Sequence, residues 1–218
     1  MMEAQRVQPP IYLDTSWLLV GHVDETISFV KANNARGWAL LANDARLARD
    51  ILFEQYTAGR GDVALHVGKS WSDGTSARAT IYQVLSDQDV MAASAEAVVE
   101  VDAQIEKLKA ATGLTDADIV HVPFLHMTLD GYSIAYQPGM VNGLYLADGH
   151  FVAPDPHGPV VNGADIFQVA MAEALAPLDI TVHFAEDWDT YHRQMGEVHC
   201  GTNAARRIPT TKWWESGF

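Results

Sequence analysis

A single cysteine, Cys200, sits in Gly196-Glu197-Val198-His199-Cys200-Gly201-Thr202-Asn203. A thiolate attacks an electron-poor carbon when an imidazole handles protons and a carboxylate holds charge beside it, and flanking glycines let the backbone come close to a ligand. Near the other end of the chain an imidazole and a carboxylate occur together, in Gly21-His22-Val23-Asp24-Glu25. Read as a strand, this segment has period 2 and puts His22 and Asp24 on one face, with Val23 on the other. Such a pair suits general acid–base work combined with binding of a cation. Each motif alone has a plain alternative, a small buried hydrophobe for the Cys and a structural hydrogen bond for the His-x-Asp. Thiol, imidazole and carboxylate in one chain are the set that covalent catalysis needs.

Other candidates carry less. His192 and His199 could join Asp24 around a metal ion, but the sequence has no His-Glu-x-x-His or Cys-x-x-Cys spacing. The acid pairs Asp116/Asp118 and Asp187/Asp189 lack the spacing of a calcium loop and read as helix caps or solvated faces. Arg206 and Arg207 would depress a nearby thiol pKa but read more simply as solvated residues, and Trp213 and Trp214 as aromatics capping a core.

The chain has 218 residues with 14 Lys+Arg against 28 Asp+Glu, a net charge of −14. That balance argues against a nucleic-acid partner, whose phosphates need cations, and favours cationic substrates. One Cys excludes an intramolecular disulfide. The opening MMEAQRVQPP lacks the basic and apolar regions of a signal peptide, and no apolar run approaches the roughly 20 residues of a membrane span. The expectation is a soluble, cytoplasmic chain without a membrane partner, long enough to bury its own core.

The elements that must position these residues read as α/β or α+β. Residues 1–10 are expected to form an extended arm. Strands are expected over 11–20, 26–30 and 38–42, then a helix capped by Asn43, running to about Tyr56 and closed by Gly59, giving β-β-β-α. Residues 60–80 read mostly as loop. Apolar residues at helical spacing predict a helix over 89–112 with Gly113 as its cap. Further strands are expected over 119–125, 132–136, 143–147, 151–153 and 180–184, a helix over 163–176, a short helix over 187–194 capped by Asp187, and a last strand over 197–200. Small ββαβ-like units recur along the chain, without a repeat of fixed period.

Two segments are more specific. Residues 17–25, together with 196–203, resemble the C-terminal part of the protein-arginine deiminase family. Met140-Val141-Asn142, Gly158-Pro159-Val160-Val161-Asn162-Gly163, Ala176-Pro177-Leu178, Thr190-Tyr191-His192 and Lys212-Trp213-Trp214 are similar to that family in the same order. The resemblance covers residues 11–218 and implies a pentein fold, a pseudo-fivefold α/β propeller of ββαβ modules, of which this chain would hold about three. It implies hydrolysis of the guanidinium of protein-bound arginine to citrulline and ammonia. Cys200 would then be the nucleophile, His22 the acid/base and Asp24 a guanidinium clamp, with Val20 and Gly21 also at the substrate. Calcium is a further family expectation, with no ligands identifiable in this sequence. A second guanidinium-binding Asp of the family lies well before the His-x-Asp motif, where this chain has only about twenty residues, and Asp14 is too close to be that residue. Gln194 and Met195 stand where animal members tend to carry Arg and His. The alternatives are a catalytically incomplete binding module and a deiminase of a small guanidino compound. An incomplete propeller would expose strand edges, which predicts a homo-oligomer or a need for upstream sequence.

Overall fold

The computed structural model describes residues 2–5 and 9–205. Arg206, Arg207 and Lys212-Trp213-Trp214 lie outside the described residues. The chain is a mixed α/β protein built from small sheets, with no closed barrel.

The element that organises the core is the run Trp38-Ala39-Leu40-Leu41-Ala42-Asn43-Asp44. Strands β1 (Ile27–Lys31) and β2 (Trp38–Asp44) pair antiparallel. A helix α1 covers Met2–Gln5 and α2 covers Ala45–Gln55. Successive β2 side chains point to opposite faces. Ala39 and Leu41 enter one apolar cluster with Ala48 and Leu52 of α2. Leu40 and Ala42 enter another. Buried on both faces, β2 reads as a continuous apolar run, as central strands flanked by helices do.

Strands β3 (Ala64–Leu65) and β4 (Ala79–Thr80) form a small ribbon before helices α3 (Ile81–Ser86) and α4 (Gln88–Thr112). Val101, Ile105 and Leu108 of α4, three and four residues apart, cover the Leu40/Ala42 face of β2. Gly113 ends α4 at φ 70°, a left-handed conformation that glycine adopts without a Cβ penalty. Strand β5 (Ile119–Pro123) then adds parallel to β2.

Strands β6 (His126–Leu129) and β7 (Tyr132–Ala135) form a hairpin, followed by β8 (Leu144–Tyr145) and β9 (His150–Pro154), also antiparallel. A ribbon of β10 (Val160–Val161) and β11 (Ala164–Asp165) leads into α5 (Ile166–Leu175), and β12 (Thr181–Ala185) closes parallel to β9. The orders β1-β2-β5 and β8-β9-β12 are the same. Each is an antiparallel pair, a helical crossover and a parallel third strand, so two ββαβ units of one topology recur, as the sequence pattern suggested.

Several expectations need correction. Residues 11–20 form no strand; only Leu18 makes an isolated bridge, to Ser133. Two residues away, Asp14 and Thr15-Ser16 tie the backbone into side-chain turns that compete with a ladder: Asp14 Oδ1 accepts from Ser16 N–H at 2.9 Å. The expected extended arm includes one helical turn, Met2–Gln5. The cap of α2 is Asp44 rather than Asn43, its carboxylate accepting from the N–H groups of Arg46 and Leu47. Only His192–Gln194 of the expected 187–194 helix is helical, as a 3-10 turn. A strand was expected over 197–200, but residues 198–201 form a turn closed by Gly201 N–H donating to the Glu197 carbonyl at 3.1 Å.

Candidate active site

The segment holding His22 and Asp24 is a 3-10 turn, Val23–Glu25, with His22 as its cap. The expected strand with both side chains on one face is therefore incorrect. Glu25 Oε1 accepts from the His22 backbone N–H at 2.6 Å, which curls the chain and breaks the period-2 alternation. His22 is exposed, while Asp24 turns inward.

Three loops converge here: this turn before β1, the Gly139–Gly143 stretch before β8, and the turn carrying Cys200. Asn142 joins them. Its Nδ2 donates to the Asp24 carbonyl at 3.0 Å and to Asp24 Oδ2 at 2.9 Å, and its Oδ1 faces Cys200 Sγ at 3.5 Å. Its backbone carbonyl accepts from His199 N–H at 3.0 Å. His199 Nδ1 also meets Asp24 Oδ2, at 2.6 Å. Cys200 and Asp24 are thus brought together through one amide, and the imidazole that bonds Asp24 among the described residues is His199.

Cys200 lines a cavity of about 450 Å³. Leu18, Val20, Phe124 and Ile134 form apolar wall, and Trp71, Glu25, Glu197 and Asn142 also face it. Of the expected substrate contacts, Val20 lines this cavity and Gly21 does not; the Gly21 carbonyl accepts from the Thr15 hydroxyl at 2.7 Å. His22 and Asp24 stand outside the cavity lining.

Behind the thiol lies a buried acidic network. Asp187, read from sequence as a cap or solvated, is 2% exposed, and Glu197 7%. The Asp187 backbone carbonyl, not its side chain, takes the N–H groups of Thr190, Tyr191 and His192. Glu197 Oε1 lies 2.9 Å from His192 Nδ1. Glu197 and Asp187 sit within hydrogen-bonding reach of each other, and burial pushes both carboxyls far up. Burial also pushes His192 down, to about 4. With His192 neutral, one proton held between the Glu197 and Asp187 carboxyls keeps two buried negative charges from facing each other. Burial raises the Cys200 thiol above its ordinary value, and the Asp24 charge adds to that.

The residues that sequence reading passed over share a signal of one kind: polar side chains inside apolar runs. Asn142 follows Met140-Val141, and Glu197 precedes Val198. For a metal, no group of three or more His, Cys, Asp or Glu side chains among the described residues converges on a common point. Among the described residues, no helix is long and apolar enough to cross a membrane.

A family model described as protein-arginine deiminase matches residues 1–215. Protein-arginine deiminase type-4 of Rattus norvegicus is 37% identical over 216 residues, covering 97% of this chain and 32% of the relative. Protein-arginine deiminase type-1 of Mus musculus is 34% identical, over 99% of this chain and 32% of the relative, and type-3 of Homo sapiens 36%, over 98% and 32%. The chain spans about a third of the length of these curated relatives.

Proposed function

Because the chain belongs to the protein-arginine deiminase family, we propose that it carries the Cys/His/Asp part of a site that hydrolyses the guanidinium of protein-bound arginine to citrulline and ammonia. The observation that carries this reading is the Asp24–Asn142–Cys200 chain of contacts, whose Asn142 and Cys200 line a cavity. It sets a carboxylate and a thiol beside one another, as capture and attack of a planar cation require. The pentein arrangement belongs to the same proposal, supported by two ββαβ units of identical strand order.

In this mechanism Asp24 holds guanidinium nitrogens through charge-assisted hydrogen bonds. The Cys200 thiolate adds to the guanidinium carbon, forming a C–S bond and pushing the C=N electron pair onto nitrogen. His22, in its protonated form, gives a proton to one NH2 group, the C–N bond breaks and ammonia departs. Water then adds to the same carbon as His22 takes its proton. The C–S bond breaks, returning the thiolate, and the new hydroxyl loses its proton to the departed ammonia through water, leaving the ureido group of citrulline and ammonium. The net change is guanidinium plus water to urea group plus ammonium. Val20 would line the alkyl part of the substrate, and Gly21 would contribute backbone. The family's calcium and a protein or peptide substrate belong to the proposal for the longer protein, as does a cytoplasmic setting.

A second reading is favoured by the exposure of His22 and by the engagement of Asp24 with both His199 and Asn142: the chain alone binds arginine without turning it over. Citrulline release from an N-acylated arginine amide, beside a Cys200→Ala control, separates the two. Turnover that depends on Cys200 supports hydrolysis. No turnover, with arginine amide protecting Cys200 from alkylation, supports binding alone. Neither turnover nor protection overturns both.

A further inference from the structure

Asn142 is 1% exposed and touches both groups on which the proposed chemistry depends. A carboxamide has one donor end and one acceptor end. The Asp24 carbonyl and Asp24 Oδ2 are both acceptors, so the NH2 end must face Asp24, and the oxygen is left toward sulfur. An oxygen accepts a hydrogen bond from S–H and repels a thiolate. The amide cannot offer its donor to the sulfur while Asp24 holds it.

We infer that Asn142 is a positioning residue for Cys200: held by Asp24 it keeps the sulfur in its neutral S–H form, and when a cation draws Asp24 away the amide turns and offers Nδ2 to the thiolate. The proton leaves sulfur for water in the cavity, and no other bond changes. The inference rests on the reading of Cys200 as the nucleophile and adds to it a coupling between carboxylate occupancy and thiol ionisation. The charged and titratable groups around the sulfur are Asp24 on the first turn, His199 and Glu197 beside it in the chain, Arg193, Glu25, Asp73 and His126 on the cavity wall, and His192 behind Glu197. Burial and the Asp24 charge raise the thiol, and the contribution of the amide follows from which of its ends faces the sulfur.

With one cysteine in the sequence, iodoacetamide alkylation followed against pH reports on Cys200 alone and needs no turnover. Failure of the deiminase reading and failure of this one are therefore separate results. Asp24→Ala should move the alkylation midpoint down and speed alkylation at neutral pH roughly tenfold, about one pKa step. In the Asn142→Ala background the same change should give less than about a threefold effect, the through-space part alone. Equal responses in the two backgrounds would overturn the inference. Should Asn142→Ala fail to fold, the exchange of Asp24→Asn with Asn142→Asp keeps net charge and side-chain size. It sets a carboxylate against the sulfur, so the midpoint should rise above that of the unchanged chain. A midpoint that stays or falls would overturn the inference as well.

Discussion

Asp24 and His199, 175 positions apart, share a hydrogen bond of 2.6 Å between Oδ2 and Nδ1. That bond fastens the turn carrying Cys200 to the turn carrying His22, and the same oxygen also receives Asn142. A guanidinium reaching Asp24 must use Oδ1 or displace one of these partners. His199 is half exposed, so the bond adds little to stability. Its value lies in alignment. His199→Ala should leave the melting temperature nearly unchanged and lower kcat/KM for an arginine amide roughly 3–10-fold. Steady-state kinetics beside a thermal melt checks this, and an unchanged kcat/KM would make the bond incidental.

The buried carboxyl pair predicts a stability that depends on pH. Glu197 has its folded pKa raised by burial, to about 8, above its value in the unfolded chain. The folded state therefore holds a proton that the unfolded state releases. This contribution is fully present below the unfolded carboxylate range and is lost as pH rises through about 8. His192, lowered to about 4, acts the other way, losing stability as pH falls from the ordinary imidazole range toward about 4. Glu197→Gln keeps an oxygen for His192 and supplies an N–H toward Asp187. Urea denaturation across neutral and alkaline pH should show the substituted chain losing less stability above neutrality than the unchanged one. Parallel curves would place the shared proton elsewhere.

Much of the scaffold was legible because periodicity reports burial. The spacing of Val90, Ala93, Ala97, Val101, Ile105 and Leu108 located α4, and Gly113 its end. The continuous apolar run that located β2 is what a strand buried on both faces needs, since Leu40 and Leu41 enter different clusters. The site was legible in its residue types and less so in its geometry. His22 and Asp24 were placed on a strand because extended and 3-10 backbones share short apolar-polar patterns, and what decides between them is one bond, Glu25 to the His22 N–H. Asn142, Glu197 and Asp187 were less legible for another reason: each becomes significant only when loops far apart in sequence close on it, and a polar residue beside apolar ones does not say which loops those are.

The approach of β8 to β9 predicts a steric effect on the site. A Cβ at Gly143 would fall on the Val152 carbonyl and the ring of Phe151, which is fully buried. Neither can move aside as a surface side chain would. Gly143→Ala should cost about 1–3 kcal/mol and displace Asn142, its neighbour in the chain. Denaturant titration gives the first effect. A change in Cys200 alkylation rate at a pH where the variant is fully folded gives the second, and a stable variant with unaltered alkylation would show that the two strands separate without moving the amide.

Exposed apolar edges predict self-association. Strand β1 is an edge of its sheet, and Phe29 on it is 51% exposed, packed edge-on against Trp38 at 5.5 Å between ring centres. On another surface Phe53, Tyr56 and Tyr82 stand exposed, the two tyrosine rings stacked 6.0 Å apart. An unpaired strand edge bearing a large apolar residue is a template for pairing, and natural proteins blunt such edges with charge. The net charge of −14 opposes association at long range but is screened within about 8 Å at physiological salt. Sedimentation velocity should therefore show association that grows with protein concentration and with salt. Phe29→Lys removes the ring and places a cation on the edge, and it should shift the chain toward monomer without altering Cys200 alkylation. Association that survives this substitution would move the contact to the tyrosine patch, and a monomer at high salt would show that the edges are protected by their own twist.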